Sequence, residues 1–305
     1  IADEYLEVLY KLWEGSWDDD AIVADRENNV FADPAKIRPI DHKGTYFAVE
    51  GPHLPSPSRQ RTPVLFTATS SPAGTAFAGK HAEVVFTGGP TEEHLRRLAD
   101  RLKQSAVDNG RERADLKVIT TGGVIVAPTE AEAREKLAYY QKWTDREGYL
   151  AHAGLPWDPT AYPPDLPLAE VPDLAEGRSG RYNQIKPEQT VGEYLAGFGD
   201  LQRRPLFVAG DPEHCADEIE RWLDELDIDG INLLQYHTFD TAKDFIELVA
   251  PELQARGRLR TSYDEDESLR HRIFGAGDRL PDRHYGARYR GGRNLPAHSP
   301  AKDPS

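Results

Sequence analysis

The chain has 305 residues, of which 38% are hydrophobic and 29% are charged, and its formal net charge is -15. This composition is typical of a soluble globular protein that buries a sizeable core. The acidic balance excludes a nucleic acid or an anionic membrane surface as the main partner, because both require a concentrated basic face. No apolar run is long enough for a membrane span and no secretory leader is visible, which favours a cytoplasmic location.

Apolar residues recur at helical spacing near the start of the chain and predict a helix over residues 5–13. The chain begins with isoleucine and contains no methionine. Together these features predict a fragment whose first helix packs on residues upstream. The next segment, residues 19–61, is rich in charge and predicts a polar surface arm, with a short hairpin that turns near Lys43 and Gly44.

From residue 63 onward, strand patterns alternate with helix patterns. Strands are predicted in "PVLFTAT", "EVVFTG", "LKVITTGGVIVA", "PLFVAG" and "GINLLQY". Helices are predicted over residues 72–81, 91–108, 129–143, 212–226 and 241–254. This alternation implies right-handed crossovers and a parallel sheet, in either an open doubly wound fold or a closed barrel.

Three local patterns in this region indicate structure only. Residues 129–132 predict a capping box, in which the Thr129 hydroxyl and the Glu132 carboxylate each accept a bond from a backbone N–H. A glycine pair, Gly122-Gly123, lies inside a strand and predicts a bulge or close packing. The single cysteine, Cys215, lies on the apolar face of a predicted helix and is expected in the core.

Two long segments do not follow the alternation. Residues 148–205 are rich in proline, glycine and charge, with one short helical stretch, "TVGEYLAGFG". A segment of this length inside a compact domain predicts a functional lid. From residue 256 onward the sequence is polar, and the end of the chain is expected to be a loosely held tail.

Several signatures of catalysis are absent. The sequence contains no dinucleotide-binding G-x-G-x-x-G, no Walker A sequence and no G-x-S-x-G nucleophile elbow. The histidines lack metal-ligand spacing, so no metal site is predicted. The candidate that remains is "TATSSPAG", where a strand ends and a helix begins. There Ser71 is the predicted N-cap, and the free N–H groups of the helix start suit an anion such as phosphate.

Five stretches of the sequence stand in a fixed order, and in that order they resemble the bacterial-luciferase-like flavin monooxygenases. They are "EYLEVLYKLWEGSWDDD", "DPAKIRPIDHKGTYFAVEGP", "SSPAGTAFAGKHAEVVFTGG", "AGDPEHCADEIERWLDELDIDGINLLQY" and "FGAGDRLPDRHYGARYR". The resemblance is to the branch of nitrilotriacetate monooxygenase component A, dibenzothiophene-sulfone monooxygenase and long-chain alkane monooxygenase. It covers nearly the whole chain.

The resemblance implies an α/β fold, the C-terminal portion of a TIM-type (β/α)8 barrel with a long insertion and an extended C-terminal tail. Residues 1–255 would form the partial barrel, including the arm 19–61 and the insertion 148–205, and residues 256–305 would form the tail. The resemblance also implies reduced FMN, supplied by a separate NAD(P)H:flavin reductase. Oxygen would add to flavin C4a, and the hydroperoxide would oxidise a small organic substrate beside a C–N, C–S or C–H bond.

The resemblance also carries the site residues. In that family the turn matching Ala68 to Ser71 holds the FMN phosphate, so contacts are implied from Ser71 and Ser70, with Thr69 and Ala68 in the same turn. The family often has Gln-Ala-Gly before the serine, where this chain has Thr67-Ala68-Thr69. Its other flavin contacts lie on strands that would precede this chain, so no catalytic residue is named.

Two other functions stay open on the sequence. A deazaflavin-dependent reductase or dehydrogenase uses a related barrel and transfers hydride, and oxygen uptake with FMN and a flavin reductase would discriminate against it. An incomplete barrel with unpaired sheet edges would be inactive and bind nothing, and a flavin titration would test that. A homo-oligomer also stays open.

Overall fold

The computed structural model describes residues 1–153, 155, 157–172, 174 and 189–296. The chain divides into two compact units. The first consists of Ile1–Phe86, Asp100–Lys117 and Tyr263–Ser305, and the second of Thr87–Ala99 and Val118–Ser262. Within the described ranges, none of the helices is both long enough and apolar enough to cross a membrane.

The regular elements follow the predicted alternation of strands and helices. The α-helices are α1 (Ala2–Tyr10), α2 (Pro72–His81), α3 (Glu92–Asp108), α4 (Glu130–Lys142), α5 (Arg146–His152), α6 (Val191–Ala196), α7 (Pro212–Glu225), α8 (Asp240–Asp244), α9 (Ala250–Ala255) and α10 (Leu269–Phe274). The strands are β1 (Ile22–Asp25), β2 (Val30–Ala32), β3 (His42–Lys43), β4 (Ala48–Val49), β5 (Phe66–Ala68), β6 (Val84–Thr87), β7 (Lys117–Val126), β8 (Phe207–Gly210) and β9 (Gly230–Leu233).

In the first unit, the parallel pair β5 and β6 carries the predicted strand-to-helix turn. Phe66 is in register with Val84, and Ala68 with Phe86. The chain then enters α2, whose start is fixed by Ser71 as N-cap and by Pro72, which needs no hydrogen-bond partner in the first turn. The hairpin predicted near Lys43 is confirmed, since β3 and β4 pair in antiparallel register.

The polar segments of the first unit are more deeply packed than the sequence indicates. We expected a surface arm over residues 19–61, yet Ile40 lies fully inside the core. The end of the chain differs in the same way, because Tyr289, expected in a loose tail, is buried beside Tyr10 and Leu280. The polar composition predicted that these segments are exposed, because their buried residues are scattered among charged ones. Residues 297–305 lie outside the described part of the chain.

In the second unit, β7 is the central strand. Its second half, Gly123–Val126, pairs in parallel with β8, and its first half, Ile119–Gly122, pairs in parallel with β9. The glycine pair predicted to mark a bulge or close packing marks close packing. A methyl group on Gly123 would lie 2.2 Å from the Tyr236 hydroxyl oxygen.

Helix α7 and its neighbours form the apolar core of the second unit. An Asp-Pro pair starts α7, with the Asp211 carboxylate accepting a bond from the backbone N–H of His214 (2.9 Å). Cys215 and Trp222 then lie on one buried face, which confirms the prediction that Cys215 is a core residue. Burial raises the pKa of the Cys215 thiol to about 12, so the thiol stays protonated at neutral pH.

Two helix predictions need correction. The single helix predicted over 241–254 is interrupted by a π-helical turn, Phe245–Val249, because Pro251 lacks the N–H that a continuous helix requires. The predicted capping box at Thr129 is only half formed. Its hydroxyl oxygen accepts the Glu132 N–H, but the Glu132 carboxylate accepts the Thr129 hydroxyl (2.8 Å) and not a backbone N–H.

Candidate active site

The turn predicted to hold a phosphate, residues 68–71, lies at the carboxyl end of β5. The Ser71 hydroxyl oxygen accepts the Gly74 backbone N–H at 3.1 Å and thereby caps α2. Ser70 and Ser71 are both exposed. A ten-residue helix that begins here adds a partial positive charge and the Ala73 backbone N–H, since Pro72 has no N–H and those of Gly74 and Thr75 are bonded to Ser71.

Thr69 stands where the resemblance leads us to expect a glycine, and it packs against Gly74 of α2. Its backbone N–H donates to the Phe86 carbonyl oxygen (3.2 Å), which holds the turn to β6. A methyl group on Gly74 would lie 1.8 Å from the Thr69 hydroxyl oxygen. The missing side chain at residue 74 therefore makes room for the β-branched side chain at residue 69, and the helix start stays regular.

A large cavity of about 1290 Å³ lies in the second unit. Its wall includes Gly89 and Pro90, which follow β6, and residues 234–237, which follow β9. The cavity therefore lies at the carboxyl ends of parallel strands, where barrel enzymes place their active sites. No sequence motif predicted it, because its wall comes from segments far apart in the chain.

The rest of the cavity wall comes from the end of α4 and from the segment predicted to be a lid, residues 148–205. It includes several aromatic side chains, of which Tyr139, Trp143 and Tyr149 are each about half exposed or more. The segment has a small core of its own, in which Trp157 and Val191 are buried. Residues 175–188 of the segment lie outside the described part of the chain.

Tyr236 links the strand end to the segment that covers it. Its hydroxyl donates a hydrogen bond to the Leu201 carbonyl oxygen (3.1 Å), and its ring packs edge-on against Phe207. Burial raises the pKa of the Tyr236 phenol to about 12, although the positive charge of Arg204 acts in the opposite direction. The phenol therefore stays protonated at neutral pH and remains a hydrogen-bond donor.

In the part of the chain that the structure describes, no group of three or more His, Cys, Asp or Glu side chains is placed to hold a metal ion. Among the described residues, a phosphate-type turn lies in the first unit and an aromatic cavity lies in the second.

Parallel α/β units with candidate sites at the carboxyl ends of strands occur in both doubly wound and barrel enzymes, and comparison with known proteins identifies the family. A model of the luciferase-like monooxygenase family matches residues 1–230. The chain is 44% identical over 292 residues to the long-chain alkane monooxygenase of Geobacillus thermodenitrificans, an alignment that covers 95% of this chain and 62% of that protein. The chain therefore belongs to the luciferase-like monooxygenase family, whose fold is a TIM-type barrel.

Solved structures agree with this assignment. The crystal structure of a long-chain alkane monooxygenase matches with a TM-score of 0.82 and 43% identity, over 95% of this chain and 63% of that one. The crystal structure of a riboflavin lyase with modified FMN and riboflavin matches with a TM-score of 0.83 and 35% identity, over 95% of this chain and 64% of that one. The chain thus spans a little over three fifths of the length of these relatives.

Proposed function

We propose that this chain works in a two-component flavin-dependent monooxygenase. It would take reduced FMN from a separate NAD(P)H:flavin reductase and use O2 to oxidise a small organic substrate at a C–N, C–S or C–H bond. The observation that carries the proposal is the match of residues 1–230 to the luciferase-like monooxygenases. A structural relative with bound modified FMN supports the choice of flavin.

The turn at residues 68–71 has the groups that an FMN phosphate requires. Ser70 and Ser71 offer exposed hydroxyls, and the start of α2 offers the Ala73 backbone N–H and a partial positive charge. We assign the FMN phosphate to this turn, with Ser71 and Ser70 as the side-chain contacts and the backbone of Thr69 and Ala68 shaping it. Bound reduced FMN would supply the electrons that activate O2.

The cavity of the second unit suits the protein's part of this chemistry. Activated oxygen must be kept from water, and a segment that covers the reaction does so. The segment 148–205 would serve as that lid, since its described residues supply part of the cavity wall and form a small core. Removing the cover is expected to increase the release of hydrogen peroxide without product.

A charge-reversing substitution at the cap tests the phosphate assignment. Asp is as good an N-cap as Ser, so Ser71→Asp should preserve α2 while placing a negative charge beside the phosphate. We expect FMN affinity to fall by about tenfold or more, because an unfavourable contact of 1.4 kcal/mol already has that effect. Riboflavin, which has no phosphate, should bind the variant and the parent equally in a fluorescence titration.

The matched control is Thr129→Asp, at the N-cap of α4. This residue caps a helix in the other unit, and its hydroxyl oxygen accepts the Glu132 N–H as Ser71 accepts the Gly74 N–H. The control should leave FMN affinity unchanged. If Ser71→Asp and the parent bound FMN with equal affinity, the assignment of the phosphate to this turn would be wrong. If the parent did not bind FMN at all, the result would support the alternative of an inactive chain.

Activity is tested with the chain, FMN, NADH and a flavin reductase in an oxygen electrode. Oxygen uptake that rises with an added organic substrate, in excess of the reductase alone, is the expected result. Hydride transfer to the same substrate without oxygen consumption would instead favour a reductase or dehydrogenase.

A further inference from the structure

Two consecutive arginines, Arg203 and Arg204, line the aromatic cavity of the second unit. Within the described residues, neither guanidinium forms an ion pair with a carboxylate. Several arginines elsewhere in the same unit are paired with acids. Arg221 binds Glu92 and Glu218, and Arg256 binds two carboxylates as well. In a chain with 52 acidic and 37 basic residues, unpaired arginines at a cavity wall are a distinct feature.

Arg203 is held in place by packing. Its guanidinium carbon lies 5.9 Å from the ring centre of Tyr194 and 5.8 Å from that of Phe198. A methyl group on Gly197 would lie 2.2 Å from the Arg203 Nη1 atom, so the guanidinium rests directly on that backbone. Contacts of this kind fix a guanidinium through its faces and leave the N–H donors in its plane for a ligand.

The segment that carries the arginines is anchored just before them. The Gln141 side-chain amide donates to the Gly199 carbonyl oxygen (2.6 Å), and its oxygen accepts the Leu201 N–H (3.1 Å). The Tyr236 hydroxyl donates to the carbonyl oxygen of Leu201 (3.1 Å). These three bonds fix the backbone two residues before Arg203, so the charged groups are presented from a defined position and not from a free loop.

Among the described residues, the acidic side chains of the cavity wall are not paired with these arginines. Asp145 accepts the Glu147 backbone N–H (3.0 Å), and Asp200 accepts the Gln202 backbone N–H (2.9 Å), so each carboxylate is oriented by its own turn. Both guanidiniums therefore keep N–H donors for an anion. Around them lie aromatic rings, which favour an apolar or aromatic body.

We infer that this cavity recognises the anionic head group of a small organic substrate, a carboxylate or sulfonate, with Arg203 and Arg204 as its binding residues and the aromatic wall holding the rest of the molecule. The planar fork of a guanidinium matches both head groups through paired N–H donors. That the bound anion is the substrate rests on the proposed monooxygenase function. The phosphate of FMN is the alternative source of the same chemistry.

Calorimetric titration with 2-naphthoate and with its neutral counterpart, 2-naphthamide, tests the inference. We expect the parent chain to bind the carboxylate about tenfold or more tightly than the amide, because a charge-assisted bond contributes that much. Arg203→Ala and Arg204→Ala should each remove most of this preference. Arg134→Ala is the matched control, because Arg134 lies on α4 with 76% of its side chain exposed and does not line the cavity.

Parallel FMN titrations separate the two sources of the anion. If the arginines hold a substrate, both alanine variants should bind FMN as tightly as the parent does but should bind 2-naphthoate more weakly. Equal affinity for the carboxylate and the amide, unchanged naphthoate binding in both variants, or a loss of FMN affinity in place of naphthoate would each overturn the inference. A parent chain that binds naphthoate through these arginines but fails to bind FMN would retain the anion site and refute the proposed function instead.

Discussion

At the scale of single residues, His284 shows how burial fixes a protonation state. Its ring is 2% exposed. Nε2 lies 3.0 Å from the carbonyl oxygen of His81 and donates to it, while Nδ1 accepts the Gly286 N–H (3.1 Å). These two bonds require the neutral tautomer with its proton on Nε2. Burial lowers the pKa of His284 from 6.5 to about 3.

This shift makes stability depend on pH. Because the unfolded histidine titrates near 6.5 and the folded one near 3, the unfolded chain binds more protons between those values. The contribution of His284 to the free energy of unfolding is therefore fully present above about pH 6.5. It decreases as pH falls through this window, by up to about 1.4 kcal/mol per pH unit for one proton. Burial also lowers the pKa of His81, which acts in the same direction.

The substitution His284→Gln tests the effect. Glutamine can still donate a bond to the His81 carbonyl but has no group that titrates in this range. We expect the variant to be less stable at pH 7.5 and to lose about one proton from the pH dependence between pH 6.5 and 4. Urea unfolding followed by circular dichroism at several pH values measures this, and parallel pH profiles for variant and parent would contradict it.

At the scale of secondary-structure elements, β7 depends on the absence of a side chain at Gly123. A methyl group there would lie 2.2 Å from the Tyr236 hydroxyl oxygen and 3.2 Å from the Phe207 ring, whereas the atoms nearest to one on Gly122 belong to Ile231, at 3.2 Å or more. Gly123→Ala should therefore push the Tyr236 ring away and break its bond to Leu201. We expect a cost of about 1–3 kcal/mol, as for other overpacked sites, and a smaller cost for Gly122→Ala.

The double variant Gly123→Ala with Tyr236→Phe identifies the cause. Removing the hydroxyl takes away the closest atom, so the two changes together should destabilise the chain less than the sum of the two single changes. Urea unfolding of the four proteins gives the coupling. Strictly additive costs would mean that the strain at Gly123 does not come from Tyr236.

The elements that the sequence predicted correctly are those with local chemical signals. Ser-Pro and Asp-Pro pairs marked the starts of α2 and α7, because capping and a proline in the first turn act within a few residues. Local signals did not always give every contact correctly. A capping box was expected at Thr129 but is complete at Thr190, where the hydroxyl and the Glu193 carboxylate bind each other's backbone N–H.

The candidate site was only half predictable for the same reason. The turn at Ser71 could be found because its hydroxyls, proline and glycine are adjacent in sequence. The cavity could not, since Tyr139, Arg203 and Tyr236 come from different segments and meet only in the folded chain. The one sequence signal that pointed to it was the length and composition of residues 148–205, which indicated a cover but not what it covers.

At the scale of the whole molecule, the first unit is assembled from three separate parts of the chain, and its last part, from residue 263, is structural. Arg270 in α10 is 1% exposed and forms a two-bond ion pair with Glu83, at 2.7 and 2.8 Å. It also donates to the Thr62 carbonyl oxygen (2.9 Å). Further along, Arg283 binds the Asp115 carboxylate through two nitrogens (2.6 and 2.7 Å).

A chain that ends at Ser262 should therefore lose the fold of the first unit. Truncation removes Arg270 and leaves the Glu83 carboxylate buried without its partner, which alone costs about 3–5 kcal/mol. It also uncovers the ring of Tyr10, which packs on Leu280 and Tyr289. Hydrogen exchange followed by mass spectrometry should show lost amide protection in α1 and α2, with protection retained in α7 of the second unit.

The point variant Arg270→Ala separates the ion pair from the rest of the segment. The variant lacks the charge partner of Glu83 but keeps Leu280 and Tyr289, so the amides of α1 should stay more protected than in the truncated chain. The amides next to Glu83 should lose protection in both proteins. If the truncated chain kept full protection in α1 and α2, residues 263–296 would be the dispensable tail that their polar composition suggests. The burial of Arg270, His284 and Tyr289 argues that polar composition was a poor guide here, because each side chain has a partner far away in sequence: Glu83, the His81 carbonyl and Tyr10 respectively.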